Sequence, residues 1–180
     1  VMAGLPAPID GFDDEHVAEV LPLHREPDAS LEANGTEMDS DIAADWNLWS
    51  EQIGRALLPI LRSVVESTPT VTSAMIGTAD GFNLCSLGLD EHDVTRVSAM
   101  TSSLLSLADA VTDVVDKADE HPLDLVSLAH GSYATVVLTV RHLIVGQLLI
   151  WLTGDASMKT LIESQALDVA TSVRMLLGDD

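Results

Sequence analysis

The side chains best suited to metal binding or nucleophilic catalysis are scattered along the sequence. None of the six histidines belongs to an H-E-x-x-H motif. The densest set of possible metal ligands is Glu91, His92 and Asp93, and acidic residues at the start of a helix explain that set better. His130 and Ser132 flank Gly131, but adjacent residues in a turn seldom align as base and nucleophile. We therefore interpret this triplet as a turn.

The one cysteine of the chain, Cys85, also indicates structure more than chemistry. A single thiol forms neither an internal disulfide nor a thiolate zinc site. Cys85 lies amid Leu84 and Leu87 in a predicted strand, so we expect a small buried residue and not a nucleophile. The sequence has no G-x-x-x-x-G-K-[ST] loop and no G-x-S-x-G elbow. It therefore predicts a binding module that is not an enzyme and that uses no metal and no cofactor.

The net charge of the chain excludes two classes of partner, nucleic acid and anionic lipid. The 180 residues include 8 Lys and Arg against 29 Asp and Glu, which gives a formal net charge of −21. Such a chain has no basic face for nucleic acid and is repelled by anionic lipid. The apolar run at residues 134–152 contains Arg141 and His142, so two buried strands explain it better than a membrane span. The lone cysteine and the lack of a basic leader predict a cytoplasmic protein.

The N-terminal part differs from the rest. Residues 1–45 hold twelve acids and one base, and we predict a disordered acidic tail over residues 1–38. An apolar cluster at residues 17–23 is either a docking motif or a few stray aliphatics. An extra amphipathic helix is predicted over residues 39–58, and Pro59 should kink the helix or split it in two. Its apolar stripe is Ile42, Trp46, Trp49, Ile53, Leu57, Ile60 and Val64.

From residue 59 to 178, alternating periodicities predict one domain. The order of elements is α-β-β-α-β-β-β-α, and short turns such as Asp80-Gly81 join the strands. We predict an α/β (α+β) sandwich, in which a mainly antiparallel five-stranded sheet carries helices on both faces. The predicted elements are a helix at 59–67, strands at 70–77 and 82–87, a helix at 93–118, strands at 123–129, 133–140 and 143–152, and a helix at 156–177.

The helix at 93–118 has an unusually wide apolar arc opposite a small, polar face. One interpretation gives the helix two functions, covering the sheet and meeting a partner through the small face; the other is a buried helix with an ordinary solvent face. The arc, and a third strand that reads as a sheet edge, predict a homodimer. The arc comprises Val94, Val97, Met100, Leu104, Leu105, Leu107, Ala108, Val111, Val114 and Val115.

Residues 56–177 resemble the roadblock family, whose superfamily includes a dynein light chain. Three segments carry the resemblance. Residues 71–81 look like the first strand and its Asp-Gly turn, and residues 97–108 look like the central helix. Residues 136–149 look like the closing hairpin.

The resemblance implies a five-stranded antiparallel sheet with one helix on one face and two on the other. It implies dimers formed through the central helix and an edge strand. Candidate interface residues are Leu123, Leu125, Ser127, Ala99, Ser103 and Ala110.

The resemblance also implies a small Ras-like GTPase as partner. Some family members activate GTP hydrolysis, as the mutual-gliding-motility type does without supplying an arginine finger, and others act as scaffolds. The small face should contact the GTPase through Ser102, Ser106, Asp109 and Asp113, while Arg96 and Arg141 should be plain surface charges. The alternative function is a structural assembly subunit or small-ligand sensor that has no GTPase partner.

Overall fold

The computed structural model describes residues 44–115 and 125–178. The predicted tail at 1–38, the first residues of the helix predicted at 39–58, and Leu123 lie outside the described residues. Within them the predicted order of elements is confirmed. The elements are α1 (Trp46–Ser67), β1 (Val71–Thr78), β2 (Asn83–Leu87), α2 (Glu91–Val115), β3 (Leu125–His130), β4 (Tyr133–His142), β5 (Gly146–Asp155), a short 3₁₀ helix (Ala156–Met158) and α3 (Lys159–Leu177).

The five strands form one open antiparallel sheet in the order β2-β1-β5-β4-β3. The last strand in sequence, β5, therefore lies in the centre, between β1 and β4. The strands β2 and β3 form the two edges. The predicted fold class is confirmed, and the apolar run at residues 134–152 is indeed β4 followed by most of β5. No helix within the described ranges is long and apolar enough to cross a membrane.

Each face of the sheet has its own cover. Alternate residues of β4 and β5 point to one face and are fully buried there, as Val136, Leu138 and Ile150 show. This face packs against α1 and α3, which contribute apolar stripes to the same core: Leu57, Leu61 and Val64 from α1, and Ile162, Ala166, Val169 and Val173 from α3. The opposite face carries α2, whose Ser98 Oγ lies 3.4 Å from Met75 Sδ of β1. This is the predicted division into one helix and two.

Pro59 lies inside α1, which is one helix; of the two predicted effects of Pro59, the split into two helices is therefore wrong, and a kink stays a prediction. A proline removes one backbone hydrogen bond and crowds the preceding turn, which usually costs about 3 kcal/mol. Here Leu57 and Leu61, one on each side of Pro59, are fully buried against the sheet. Burial of these leucines offsets the cost of the proline and keeps the chain helical on both sides of it.

The turn between β4 and β5 lies two residues later than predicted. His142, which was expected in the turn, ends β4 and is 6% exposed. Its Nδ1 accepts hydrogen bonds from the backbone N–H groups of Ile144 (3.2 Å) and Val145 (3.1 Å). The ring proton therefore lies on Nε2, which donates to the carbonyl of Leu177 at 3.3 Å. One imidazole thus stabilises the turn and joins it to the end of α3.

The shift of this turn changes the position of Arg141. The residue lies inside β4, opposite Gln147 of β5, and is half-buried with its Nε shielded from solvent. The interpretation of Arg141 as a plain surface charge in a hairpin turn is therefore wrong. Arg96 does lie on the surface of α2, 3.7 Å from the Asp93 carboxylate.

Candidate functional site

The residues considered for metal binding mark the start of α2. Glu91 and Asp93 lie in its first turn, and the carboxylate of Asp90 accepts a hydrogen bond from the backbone N–H of Asp93 at 2.8 Å. Acidic side chains there stabilise the helix by interacting with its positive end. Across the part of the chain that the structure describes, no group of three or more His, Cys, Asp or Glu is arranged to hold a metal ion.

Cys85 lies on β2 with its thiol buried. Burial raises the pKa of the Cys85 thiol to about 12, although a hydrogen bond with the backbone of Ile76 acts in the opposite direction. A desolvated thiol resists ionisation because the thiolate would lose its hydration. The nucleophilic form is therefore almost absent at neutral pH.

We expect iodoacetamide to modify native Cys85 about a thousandfold more slowly at pH 8 than the urea-unfolded chain, since three pKa units separate the ordinary and the buried thiol. Mass spectrometry reports this site alone because the chain has no other cysteine. By linkage, the folded state should also lose stability as the pH rises from the ordinary thiol pKa toward 12, and Cys85→Ala should remove that slope. Equal alkylation rates for the folded and unfolded chains would contradict the buried position.

The helix α2 contacts the sheet through small side chains. Among its described residues, only Ser98, Thr101 and Leu105 are buried. Next to them, Ser102 donates a hydrogen bond from its Oγ to the carbonyl of Ala79, in the turn after β1. Gly81 of the same turn has φ +87° and lies against Ser98 and Ser102. Small residues on both sides let the helix approach the backbone of this turn closely.

As a consequence, large apolar side chains of α2 point away from the sheet. Met100, Leu107 and Val111 are 65%, 62% and 55% exposed. Between α2 and the sheet lies an open groove of about 510 Å³, which we call the α2 groove. Its walls and floor are mainly apolar, comprising Val97, Ala99, Met100, Thr101, Ser103, Leu104 and Leu107 from α2 and Leu128, Thr135, Val137 and Trp151 from the sheet.

The α2 groove borders an unpaired edge of the sheet. The strand β3 pairs with β4 on one side only, and its Leu128 both lines the groove and is about half exposed. An edge strand presents unpaired backbone N–H and C=O groups to any strand that approaches. The site thus combines an apolar cleft with a free hydrogen-bonding edge, and it can bind a protein surface.

The predicted dimer-interface residues lie on the two elements of this site. Ala99, Ser103 and Ala110 are exposed on α2, and the first two line the groove. On β3, Leu125 is exposed and Ser127 is half-buried. Their contact with a second copy stays a prediction. The sequence analysis used the apolar arc as a whole to predict a dimer and placed the candidate contacts on the small face, so it did not single out Met100, Leu107 and Val111 as exposed residues.

The predicted GTPase contacts have different surroundings. Ser106 is exposed, and its Oγ donates to the carbonyl of Ser102 at 3.2 Å. Ser102 itself is half-buried and bonded to Ala79, so its assignment to an exposed face is wrong. The side chains of Asp109 and Asp113 are outside what the structure describes, so their role as contacts stays a prediction.

Comparison with known proteins agrees with this geometry. Residues 60–136 match the Roadblock/LC7 domain model. The solved Roadblock/LC7 domain from Streptomyces avermitilis is similar at 23% identity, with 66% of this chain and 94% of that one covered and a TM-score of 0.51. The gliding protein MglB from Thermus thermophilus aligns at 10% identity, over 71% and 93% of the two chains, with a TM-score of 0.57.

A further solved structure, described as MglB with a tetrameric arrangement, aligns at 11% identity over 71% of this chain and 90% of that one, with a TM-score of 0.56. At these identities, the likeness of the three structures concerns the fold. No curated protein matches the sequence.

Proposed function

Because residues 60–136 match the Roadblock/LC7 domain, we propose that this protein is a non-enzymatic homodimer that regulates or scaffolds a small Ras-like GTPase. The observation that carries the proposal is the α2 groove beside the free β3 edge. Exposed apolar side chains next to an unpaired strand are unfavourable in an isolated chain and favourable in an interface.

A second copy of the chain suits this surface. Under two-fold symmetry, a β3 edge pairs with its own equivalent, and each α2 can place Met100, Leu107 and Val111 against the partner. Both unfavourable features are then covered by one contact. The tetrameric arrangement named for the similar MglB structure supports self-association of this fold.

The GTPase is proposed from the family resemblance and from the remaining surface of α2. Ser106 is exposed on the helix, and Asp109 and Asp113 follow it within two turns. In a dimer, two such helices lie side by side and present an acidic platform with little side-chain entropy to lose on binding. No group on this surface is assigned a catalytic role, so a GTPase bound here would keep its own reactive residues.

The test is binding of a Ras-like GTPase from the same organism, loaded with GDP or with a non-hydrolysable GTP analogue. We expect the double variant Asp109→Lys/Asp113→Lys to bind about tenfold more weakly or worse, because it reverses the charge of the platform. The matched control is Glu66→Lys/Asp168→Lys, which makes the same change in charge at exposed positions on α1 and α3. Light scattering must show that both variants remain dimers.

Different outcomes separate the possible roles. A faster rate of GTP hydrolysis by the bound GTPase indicates an activator, and an unchanged rate indicates a scaffold. Equal weakening in both variants places the contact elsewhere. If Ras-like GTPases bind in neither nucleotide state, the regulator proposal fails and an assembly subunit or a ligand sensor takes its place.

A further inference from the structure

Only part of the apolar stripe of α1 is buried against the sheet. Its C-terminal part is buried at Ile53, Leu57, Leu61 and Val64. On the same stripe toward the N-terminus, Trp46 is half-buried and Trp49 is 39% exposed. The match to the Roadblock/LC7 domain begins at residue 60, so these first turns are an addition to the matched part.

The contact between α1 and β2 shows at which end of the sheet the exposed N-terminal turns of α1 lie. Gly54 lies directly on the backbone of Leu84, since a Cβ added to Gly54 would come 2.2 Å from the Leu84 carbonyl oxygen. Both α1 and β2 run opposite to β1, because the short link at residues 68–70 reverses the chain and β2 pairs antiparallel with β1. The residues that precede Gly54 and those that precede Leu84 therefore lie at the same end of the sheet.

This end carries three exposed apolar side chains, which we call the aromatic edge: Leu48, Trp49 and Phe82. Leu48 and Phe82 are each 57% exposed. Aromatic residues are enriched in the cores of protein interfaces, and tryptophan is among the residues that contribute most of the binding energy once desolvated. The aromatic edge is built from α1 and the β1–β2 turn, and it shares no residue with the α2 groove.

The charges beside the aromatic edge are acidic. Asp45 at the start of α1 and Asp80 in the β1–β2 turn are exposed, while the charge of Glu51 is offset by its ion pair with Arg55. A second copy would bring the same acids, and anionic lipid would bring negative phosphates. The first 45 residues hold twelve acids and one base. Like-charge repulsion therefore disfavours a second copy, anionic lipid and the chain's own N-terminal segment as occupants of the aromatic edge. The complementary partner is basic.

We propose that the aromatic edge binds a basic amphipathic helix of a protein partner. The apolar face of that helix packs on Leu48, Trp49 and Phe82, in the way that helices pack ridges into grooves. Its Arg or Lys side chains pair with Asp45 and Asp80, and they can also lie on the face of Trp49 as cation–π contacts. The net charge of −21 accelerates the encounter with such a partner.

The test uses the full-length chain and a fluorescein-labelled 18-residue peptide of Leu and Arg, patterned as an amphipathic helix. We expect fluorescence anisotropy to show binding, and Trp49→Ala/Phe82→Ala to weaken it at least tenfold. The matched control is Leu167→Ala/Met175→Ala, which removes two exposed apolar side chains from α3 and should change the affinity less than twofold. Circular dichroism verifies that both variants are folded.

Two further measurements separate this contact from general attraction to an acidic protein. Asp45→Asn/Asp80→Asn should reduce the salt dependence of binding, because fewer ion pairs remain to be screened. A Leu/Glu peptide of the same pattern should not bind. The proposal is overturned if the control variant loses as much affinity as the aromatic variant, or if the acidic peptide binds equally well. Loss of the dimer through the α2 groove should leave peptide binding unchanged, so this test is independent of the GTPase test.

Discussion

Replacing Leu107 and Val111 together with aspartate should convert the proposed dimer into monomers. Both side chains are more than half exposed in the single chain, so the substitutions cost little in folding. In a dimer formed through the α2 groove, each copy would bury two carboxylates without a partner, which is strongly unfavourable. We expect the dissociation constant to rise at least about 100-fold, which corresponds to roughly 2.7 kcal/mol. Sedimentation velocity over a range of concentrations measures it.

The control for this prediction is Leu161→Asp/Leu167→Asp, which changes two exposed leucines of α3 on the other face of the sheet. It adds the same charge and removes a similar apolar area, and it should leave the oligomeric state unchanged. A Leu107→Asp/Val111→Asp protein that stays dimeric while folded would show that the α2 groove is not the interface.

Gly54→Ala should destabilise the protein, although the same change in most helices is favourable by about 1 kcal/mol. The added Cβ would lie 2.2 Å from the backbone oxygen of Leu84, and a strand backbone cannot move aside as a flexible side chain can. The helix must therefore lift away from β2 and lose contacts of Ile53 and Leu57 with the core. Overpacking of this kind costs roughly 1–3 kcal/mol, and urea unfolding followed by circular dichroism measures the loss.

A substitution at an exposed position of the same helix serves as the control for Gly54→Ala. Ala56 is exposed, so Ala56→Gly should cost only the ordinary helix propensity of about 1 kcal/mol. If Gly54→Ala instead raises the free energy of unfolding, then α1 does not rest on Leu84, and the position given to the aromatic edge is wrong with it.

The order of elements and the sheet class were predictable because each depends on local pattern. The alternating and continuous apolar runs of β1, β4 and β5 need no knowledge of their partners to be recognised as strands. The Asp80-Gly81 turn is confirmed, with Gly81 at positive φ and its N–H bonded to the carbonyl of Thr78 at 3.0 Å. The last helix ends at Leu177 as predicted, and Gly178 follows it at positive φ.

The orientation of α2 was not predictable from periodicity alone. A helical period shows which residues share a face, but it does not show which of two faces meets the sheet. Here Ser98, Thr101 and Leu105 are buried, and Ser102 is half-buried next to them, because small side chains at 98 and 102 fit against the backbone around Ala79 and Gly81. Large apolar residues such as Met100 and Leu107 line the groove and stay exposed. Gly81 was the available signal, since it lies against Ser98 and Ser102 and glycine is frequent where another backbone approaches closely.

The misplaced turn before β5 has a similar explanation. Arg141 and His142 are the most polar residues of an apolar run, and polarity alone suggested the turn. The structure instead uses Gly146, at φ +77°, together with the two hydrogen bonds that His142 accepts. For the aromatic edge, the stripe with Trp46 and Trp49 was visible in the sequence. The exposure of this stripe could not be predicted, because the point where the sheet ends beneath α1 depends on how α1 and β2 pack.

The central position of β5 has a consequence for synthesis on the ribosome. When the chain has emerged only as far as His142, its four strands make two separate ladders, β1 with β2 and β3 with β4. Neither ladder is hydrogen-bonded to the other until Gly146–Asp155 inserts between β1 and β4. Until then, β1 and β4 each have an unpaired edge on the side where β5 will bind, and their apolar side chains are incompletely covered. Exposed strand edges and apolar surface of this kind favour binding by chaperones and pairing with other nascent chains. Non-local pairing of this kind also folds slowly, so cooperative folding of this domain waits for its last strand.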